Sequence, residues 1–564
     1  MKRLSLVIVL PAAWLAACRG DPVSPPPLEL CHHARLAAGA HVLVDPLTSG
    51  GCLKLPSASA AGAEYLVVAV STAGTETPAG ISEAYTLTGQ PAAGVATAGR
   101  GALPSPALRA FRPSLQADEF HLSLRKRERE LARDPRAQFS RGGITAAAVV
   151  PPPLGDQRDF WVCAETTCSS FVQVTATAKY VGPRGAIYLD NTVPAGGLTQ
   201  ADIDSIGTLF DGGPGGGSDN MYAIDSAAFG SESDLDGNSV AIILLTDAVN
   251  ALSGNCNSAG SVILGFFFGT DLFPGMANSN GGEIFYGFVP DPANPSCTVS
   301  KSFVESMLPP TFIHEFQHMI SFNQRVLVRS GLSEDTWLNE ALSHFAEELG
   351  GRLLPPDGAL GSAPDRFSQF LSLDVPNAYD YLEDPEATFL ISPGNSTGTL
   401  KERGANWLFM RWIADHFDSD PNGTNLTRSL VQTTRVGAAN VAAATGVPFS
   451  TLIPEWQLAN YLDNLPGFTA QSPRLQYDSW NFRSTFASLN QQAPGTFPRP
   501  YPLVPDQSAN GTYTRTGTLR SGSGRHIVVT QSASADSLEL RLRNGAGAPL
   551  SPTIAARYGV VRIR

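Results

Sequence analysis

The sequence predicts an α+β protein whose strands mostly precede its helices. Three observations point there. Up to about residue 292, short apolar runs such as EYLVVAVSTA and GEIFYGFVPDP are bounded by turn residues. From about 309 to 470, apolar residues recur at helical spacing. Glycine (54) and proline (43) are abundant, which favours turns and a large β component. Strands first and helices second is the α+β pattern. At 564 residues the chain exceeds one core and divides into several domains. A net charge of −12 argues against a nucleic-acid partner, because a phosphate backbone needs a basic footprint.

Residues 1–18 begin with Lys2 and Arg3, continue through LSLVIVLPAAWL and end LAAC at Cys18. This resembles a bacterial lipoprotein signal, in which the cysteine receives lipid and anchors the chain to a bilayer. An ordinary secretory signal is the alternative. Arg19 follows the cysteine, which in Gram-negative bacteria resembles cargo sent to the outer membrane. The expected location is therefore the cell envelope or surface. No later span is apolar and long enough for a transmembrane helix. Residues 19–27 read as a proline-rich tether.

Residues 28–90 read as a small β-domain, and 91–154 as linker around the charged segment HLSLRKRERELARDPR. That segment reads as a solvated helix, with a processing site as the alternative. Strands resume at DFWVCAETTCSSFVQVTATAKYV. Thr199 is placed to cap a helix over LTQADIDSIGTLFD. SVAIILLTD reads as a buried strand. GGEIFYGFVPDP reads as a strand, either in the core or at an edge where an extended peptide pairs. Residues 495–564 alternate again and read as a second, β-sandwich-like domain. With Cys18 set aside, six cysteines form three local pairs: Cys31 with Cys52, Cys163 with Cys168, Cys256 with Cys297. Local closure is the simplest of the possible connectivities, and an exported chain keeps disulfides.

The chemistry concentrates in TFIHEFQHMISFNQ, 311–324. On a helix starting at Pro309 and Pro310, His314 and His318 lie one turn apart on one face. Both imidazoles then reach one metal ion, with Glu315 beside them. A catalytic zinc needs a third protein ligand and an open position for water. A histidine six residues on is excluded, since Ser321 and Gln324 occupy the glycine and histidine positions of that motif. WLNEALSHFAEEL supplies the alternative. Its polar stripe Glu340, His344 and Glu347 lies apart from the apolar stripe Leu338, Leu342, Phe345 and Leu349. Glu340 is the expected ligand, and His344 either orients a ligand or replaces Glu340. Asn339 is a further candidate for steadying the site.

HEFQHMI followed by WLNEALSHFAEE resembles the gluzincin metallopeptidases, most closely the hyicolysin-like family, over roughly 155–470. The resemblance implies a zincin-like core and a zinc endopeptidase acting on polypeptides. His314, His318 and Glu340 would be its zinc ligands, and Glu315 the general base toward a zinc-activated water. Gluzincins usually stabilise the oxyanion with a tyrosine or histidine. Tyr379, Tyr381 and His416 are the candidates. Two alternatives stand beside this: a non-catalytic surface binding protein on a protease-like fold, and an aminopeptidase-like zinc hydrolase. Intact Glu315 speaks against the first, and the lack of a GAMEN-like string against the second. Separately, Asp234, Asp236 and Asn238 in SDLDGNS resemble the opening of a calcium (Ca2+) loop. No bidentate glutamate follows, so a plain turn is preferred there.

Overall fold

The computed structural model describes residues 31–91, 115–135, 150–354, 366–396, 398–509 and 512–564. The signal, Cys18 and the tether lie outside the described residues, as do most of the linker stretches. The chain is mixed α+β. Among the described residues no helix is long and apolar enough to cross a membrane.

Six strands form the sheet beside the helices: β1 (Gln157–Cys163), β2 (Phe171–Val181), β3 (Gly185–Asp190), β4 (Ala241–Leu245), β5 (Gly265–Phe267) and β6 (Ile284–Gly287). Their spatial order is β5-β6-β4-β3-β2-β1. β3, β4 and β6 run parallel, and the flanking pairs are antiparallel. β4 is buried along its whole length, which explains its unbroken apolar run. The IFYG strand is not the edge. It is β6, paired on both sides, and β5 takes the edge beside it. All three local disulfides are present. The Cys163–Cys168 bridge closes the turn between β1 and β2.

Helix α1 (Leu115–Arg133) is the charged segment. It is not simply solvated: Phe120, Leu124, Leu131, Arg125 and Glu128 are buried. Helix α2 (Gln200–Asp211) starts at Thr199 with a capping box, as the sequence predicts. Helix α3 (Lys301–Phe322) carries the His-Glu-x-x-His motif and is capped by Ser300. It begins well before the proline pair, which lies inside it. Prolines lack the N–H that would bond the carbonyls of Glu305 and Ser306. The side-chain amide of Gln369 donates to both instead, at 3.4 and 2.9 Å. Helix α4 (Thr336–Leu353) packs on α3 and is buried on almost every side. Helices α5 (Asp374–Glu383), α6 (Leu400–Phe417) and α7 (Phe449–Leu462) complete the surround used below. α3 lies close to β5: a Cβ on Gly265 would sit 2.7 Å from Thr311 Cγ2. Only glycine allows that approach.

The strands expected as two separate end modules interleave in one β-sandwich. One sheet runs His32–His33, Cys52–Leu55, Leu538–Asn544, Ser82–Pro91, Tyr513–Arg520. The other runs Asp506–Ala509, Gly524–Gln531, Ala63–Ser71, Ala556–Arg562, His41–Val44. The reason is visible in the strand Ala63–Ser71. Tyr65, Val67 and Ala69 fill the sandwich core, while Leu66, Val68 and Val70 face the core of the helical body. A strand apolar on both faces needs partners on both. The C-terminal strands flank it on either side.

Candidate metal centre

α3 and α4 bring His314, His318 and Glu340 together in the interior. One donor atom from each lies within 4.8 Å of the others. His314 Nε2 and His318 Nε2 are 3.2 Å apart. Glu340 Oε2 is 3.7 Å from His314 Nε2, and Glu340 Oε1 is 3.8 Å from His318 Nε2. Those distances are too long for hydrogen bonds. Among the described residues neither Glu340 oxygen has a hydrogen-bond partner, though both are buried. A buried carboxylate left so is costly unless a cation meets it. Two imidazoles and a carboxylate whose donor atoms converge fit a metal ion.

The rings and carboxylate are held from behind. His314 Nδ1 lies 2.7 Å from Glu347 Oε1. Ser343 Oγ donates to Gln317 Oε1 at 2.6 Å and stands 3.1 Å from His318 Nδ1. Asn339 also bears on His318. Arg403 Nη1, from α6, approaches Glu340 Oε2 at 3.8 Å. Glu315 turns toward β5, where its Oε2 accepts from the Phe267 N–H at 2.9 Å.

Charge states follow from these neighbours. Burial alone would raise Glu340, but Arg403 and the two histidines hold its carboxyl well below the usual range. Burial, aided by Arg125, holds His318 well below its ordinary value and so neutral. Burial opposes charge on His314, yet the Glu340 and Glu347 carboxylates outweigh it and hold the ring at about 9. Burial raises Glu315, against the pull of His314 and Arg125.

His344 stands behind the triad. Its Nδ1 is 3.0 Å from Glu347 Oε1 and 2.8 Å from Asp374 Oδ1 on α5. Its ring centroid is 5.0 Å from that of His314. It bears on His314 through Glu347, and His314, His344 and Glu347 form a second group of donor atoms within 4.8 Å of one another. Glu347 belongs to the polar stripe visible in the sequence. Asp374 and Arg403 carry no local signal and reach the site only through the fold.

The hydrogen bonds and ring contacts of the oxyanion candidates go to residues other than the triad. The Tyr379 hydroxyl is engaged with the backbone of Arg499, and the ring packs on Phe486 and Phe497. Tyr381 accepts from Gln457 and stacks on Trp456. His416 bonds the carbonyl of Gln476. Each side chain is committed to the helical core. At the acidic turn, Asp234 and Asp236 also meet Glu283, with one oxygen of each within 4.8 Å of the others. Asn238 bonds Asp236 and the Val240 N–H, as a turn does. Glu283 was not readable as a partner, because it arrives just before a different strand.

No family model matches the chain. A stretch of 200 residues, 35% of the chain, is 27% identical to the neutral metalloprotease ShpI of Staphylococcus hyicus, and the match spans 40% of that protein's length.

Proposed function

We propose that this chain is a zinc-dependent endopeptidase of the gluzincin kind, exported and held at the bacterial envelope through lipid on Cys18. The observation that carries it is the buried convergence of His314, His318 and Glu340 with Glu315 alongside. The partial likeness to a neutral metalloprotease supports the same class. His314, His318 and Glu340 would hold the ion, and that donor set suits zinc. Zinc there supplies Lewis acidity toward water and the scissile carbonyl.

The chain's own residues do the rest. Glu315 is tethered by one oxygen to β5, which leaves the other to accept a proton from water and pass it to the leaving amine. Its raised pKa suits a group that must both take and return a proton. β5 is a sheet edge, so an extended substrate can pair with it through main-chain bonds. Elemental mass spectrometry on the full chain tests the metal, and cleavage of a blocked, internally quenched peptide tests the chemistry. Expected is one zinc per chain, lost in Glu340→Ala and kept in Glu315→Gln. Hydrolysis in Glu315→Gln should fall by about a hundredfold or more, the usual scale of a general base. A Glu315→Gln chain that cleaves like the wild type would rule out the mechanism.

A further inference from the structure

Helix α1 packs on the edge strand β5 and on the start of α4. Near its middle Ser123 Oγ donates to the Thr166 carbonyl in the β1–β2 turn, at 2.8 Å. Phe120 sets its ring edge-on to Phe266 of the edge strand β5, with centroids 4.9 Å apart. Arg127 Nε donates to Thr270 Oγ1 at 3.1 Å, just past β5. Arg129 Nη1 donates to Thr336 Oγ1 at 2.8 Å, at the start of α4. The helix thus bridges the sheet edge and the helix that carries Glu340.

Its middle turn lies within electrostatic reach of the metal centre. Arg125 and Glu128, 3.2 Å apart, are both buried. The Arg125 charge acts on Glu315, His318 and Glu340 together, and Glu128 feels Glu340 and Glu315. His121, one turn earlier, is in the field of Arg403, Glu340 and His314. A helix that only shielded a core would bury apolar side chains. This one also buries two ionisable groups within electrostatic reach of Glu315, His318 and Glu340.

We infer that α1 is an intramolecular plug: it occupies the cleft between β5 and the metal centre, and peptide gains the site only when the helix is displaced. The inference rests on the peptidase proposal above and adds its regulation. Phe120 takes the side-chain space over the edge strand. The buried Arg125–Glu128 pair stands beside residue 269, just past β5, within electrostatic reach of Glu315.

The test uses the full chain with Glu128→Cys and Gly269→Cys. The Glu128 Cγ stands where a cysteine sulfur would, 3.3 Å from where a Cβ at residue 269 would lie, so a bridge there locks the helix. Peptide hydrolysis and the rate of zinc removal by EDTA are read in the oxidised and reduced states. The wild type taken through the same cycle gives the baseline for its three native disulfides. The locked form should hydrolyse at least about tenfold more slowly than its reduced form, because the tether removes the open population. It should also release zinc more slowly. Leu131→Asp places a charge on the buried face of the helix and should raise turnover severalfold over the wild type. Equal hydrolysis and equal zinc release in the two redox states would overturn the plug. If zinc is bound but no form cleaves peptide, the peptidase proposal fails and zinc release alone decides. Slower release from the locked form then supports α1 as a cover of the metal centre, and equal release overturns it. A chain that takes up no zinc in either state overturns both.

Discussion

Glu347 offers no oxygen to the cluster of His314, His318 and Glu340, yet the orientation of His314 depends on it. The 2.7 Å contact with Nδ1 directs Nε2 toward the triad. His344 and Asp374 in turn steady Glu347 from the other side. Partners of this kind commonly change metal affinity by about 10–100-fold when removed. Glu347→Ala should therefore bind zinc about that much more weakly in competition with a chromophoric chelator. Glu347→Gln, which can still accept a hydrogen bond, should recover part of the loss. An unchanged affinity in Glu347→Ala would mean that packing alone fixes the ring. At this scale the site was largely legible. His314, Glu315 and His318 sit within five residues of each other, and helical periodicity alone puts the two imidazoles on one face. Glu340 was expected from the need for a third ligand, and the fold brings it beside the two imidazoles. Arg403 and Asp374 were not legible, since each touches the site only after separate helices have packed.

The elements show where local rules gave way. Pro309 and Pro310 look like a helix start, because a first-turn proline loses nothing. In α3 they sit mid-helix because a side chain elsewhere restores what they remove. Gln369 caps the stranded carbonyls of Glu305 and Ser306. No reading of 301–324 alone contains that residue. Gln369→Ala should lower stability by about 1 kcal/mol, the usual scale for losing hydrogen bonds to half-buried acceptors. Denaturant unfolding measures it, and a change within error would show that water serves the two carbonyls equally well. The edge strand has the same lesson. β5 is three residues long and has no period to detect, whereas β6 has a strong apolar run and ends up interior. Charged α1 misled for the opposite reason: Arg125 and Glu128 are buried as a pair, while Lys126, Glu130 and Arg133 stay exposed.

At the scale of the whole molecule, the two ends of the chain make one sandwich, and that sandwich is bound to the helical body through polar contacts as well as apolar ones. His526 Nε2, on the strand Gly524–Gln531, donates to the Gln457 carbonyl of α7 at 2.7 Å. Gln457 Nε2 donates back to the Gly522 carbonyl at 2.8 Å. Burial holds His526 down at about 4, against the help its carbonyl partner gives to the charged form. In the unfolded chain a histidine titrates near 6.5. Between those values the unfolded chain binds a proton that the native chain does not. The stability from this group is thus complete above about pH 6.5 and is lost as pH falls toward 4. At pH 4.5 the loss comes to about 2.5 kcal/mol, from roughly 1.4 kcal/mol per unit of difference. Replacing the imidazole with a side chain that does not titrate removes this slope. His526→Gln should therefore lose less stability than the wild type between pH 7.5 and pH 4.5 by about that amount, in urea unfolding followed by tryptophan fluorescence. Parallel pH profiles for the two chains would show that the seam opens to water before the chain unfolds, and that His526 titrates there as an exposed residue would.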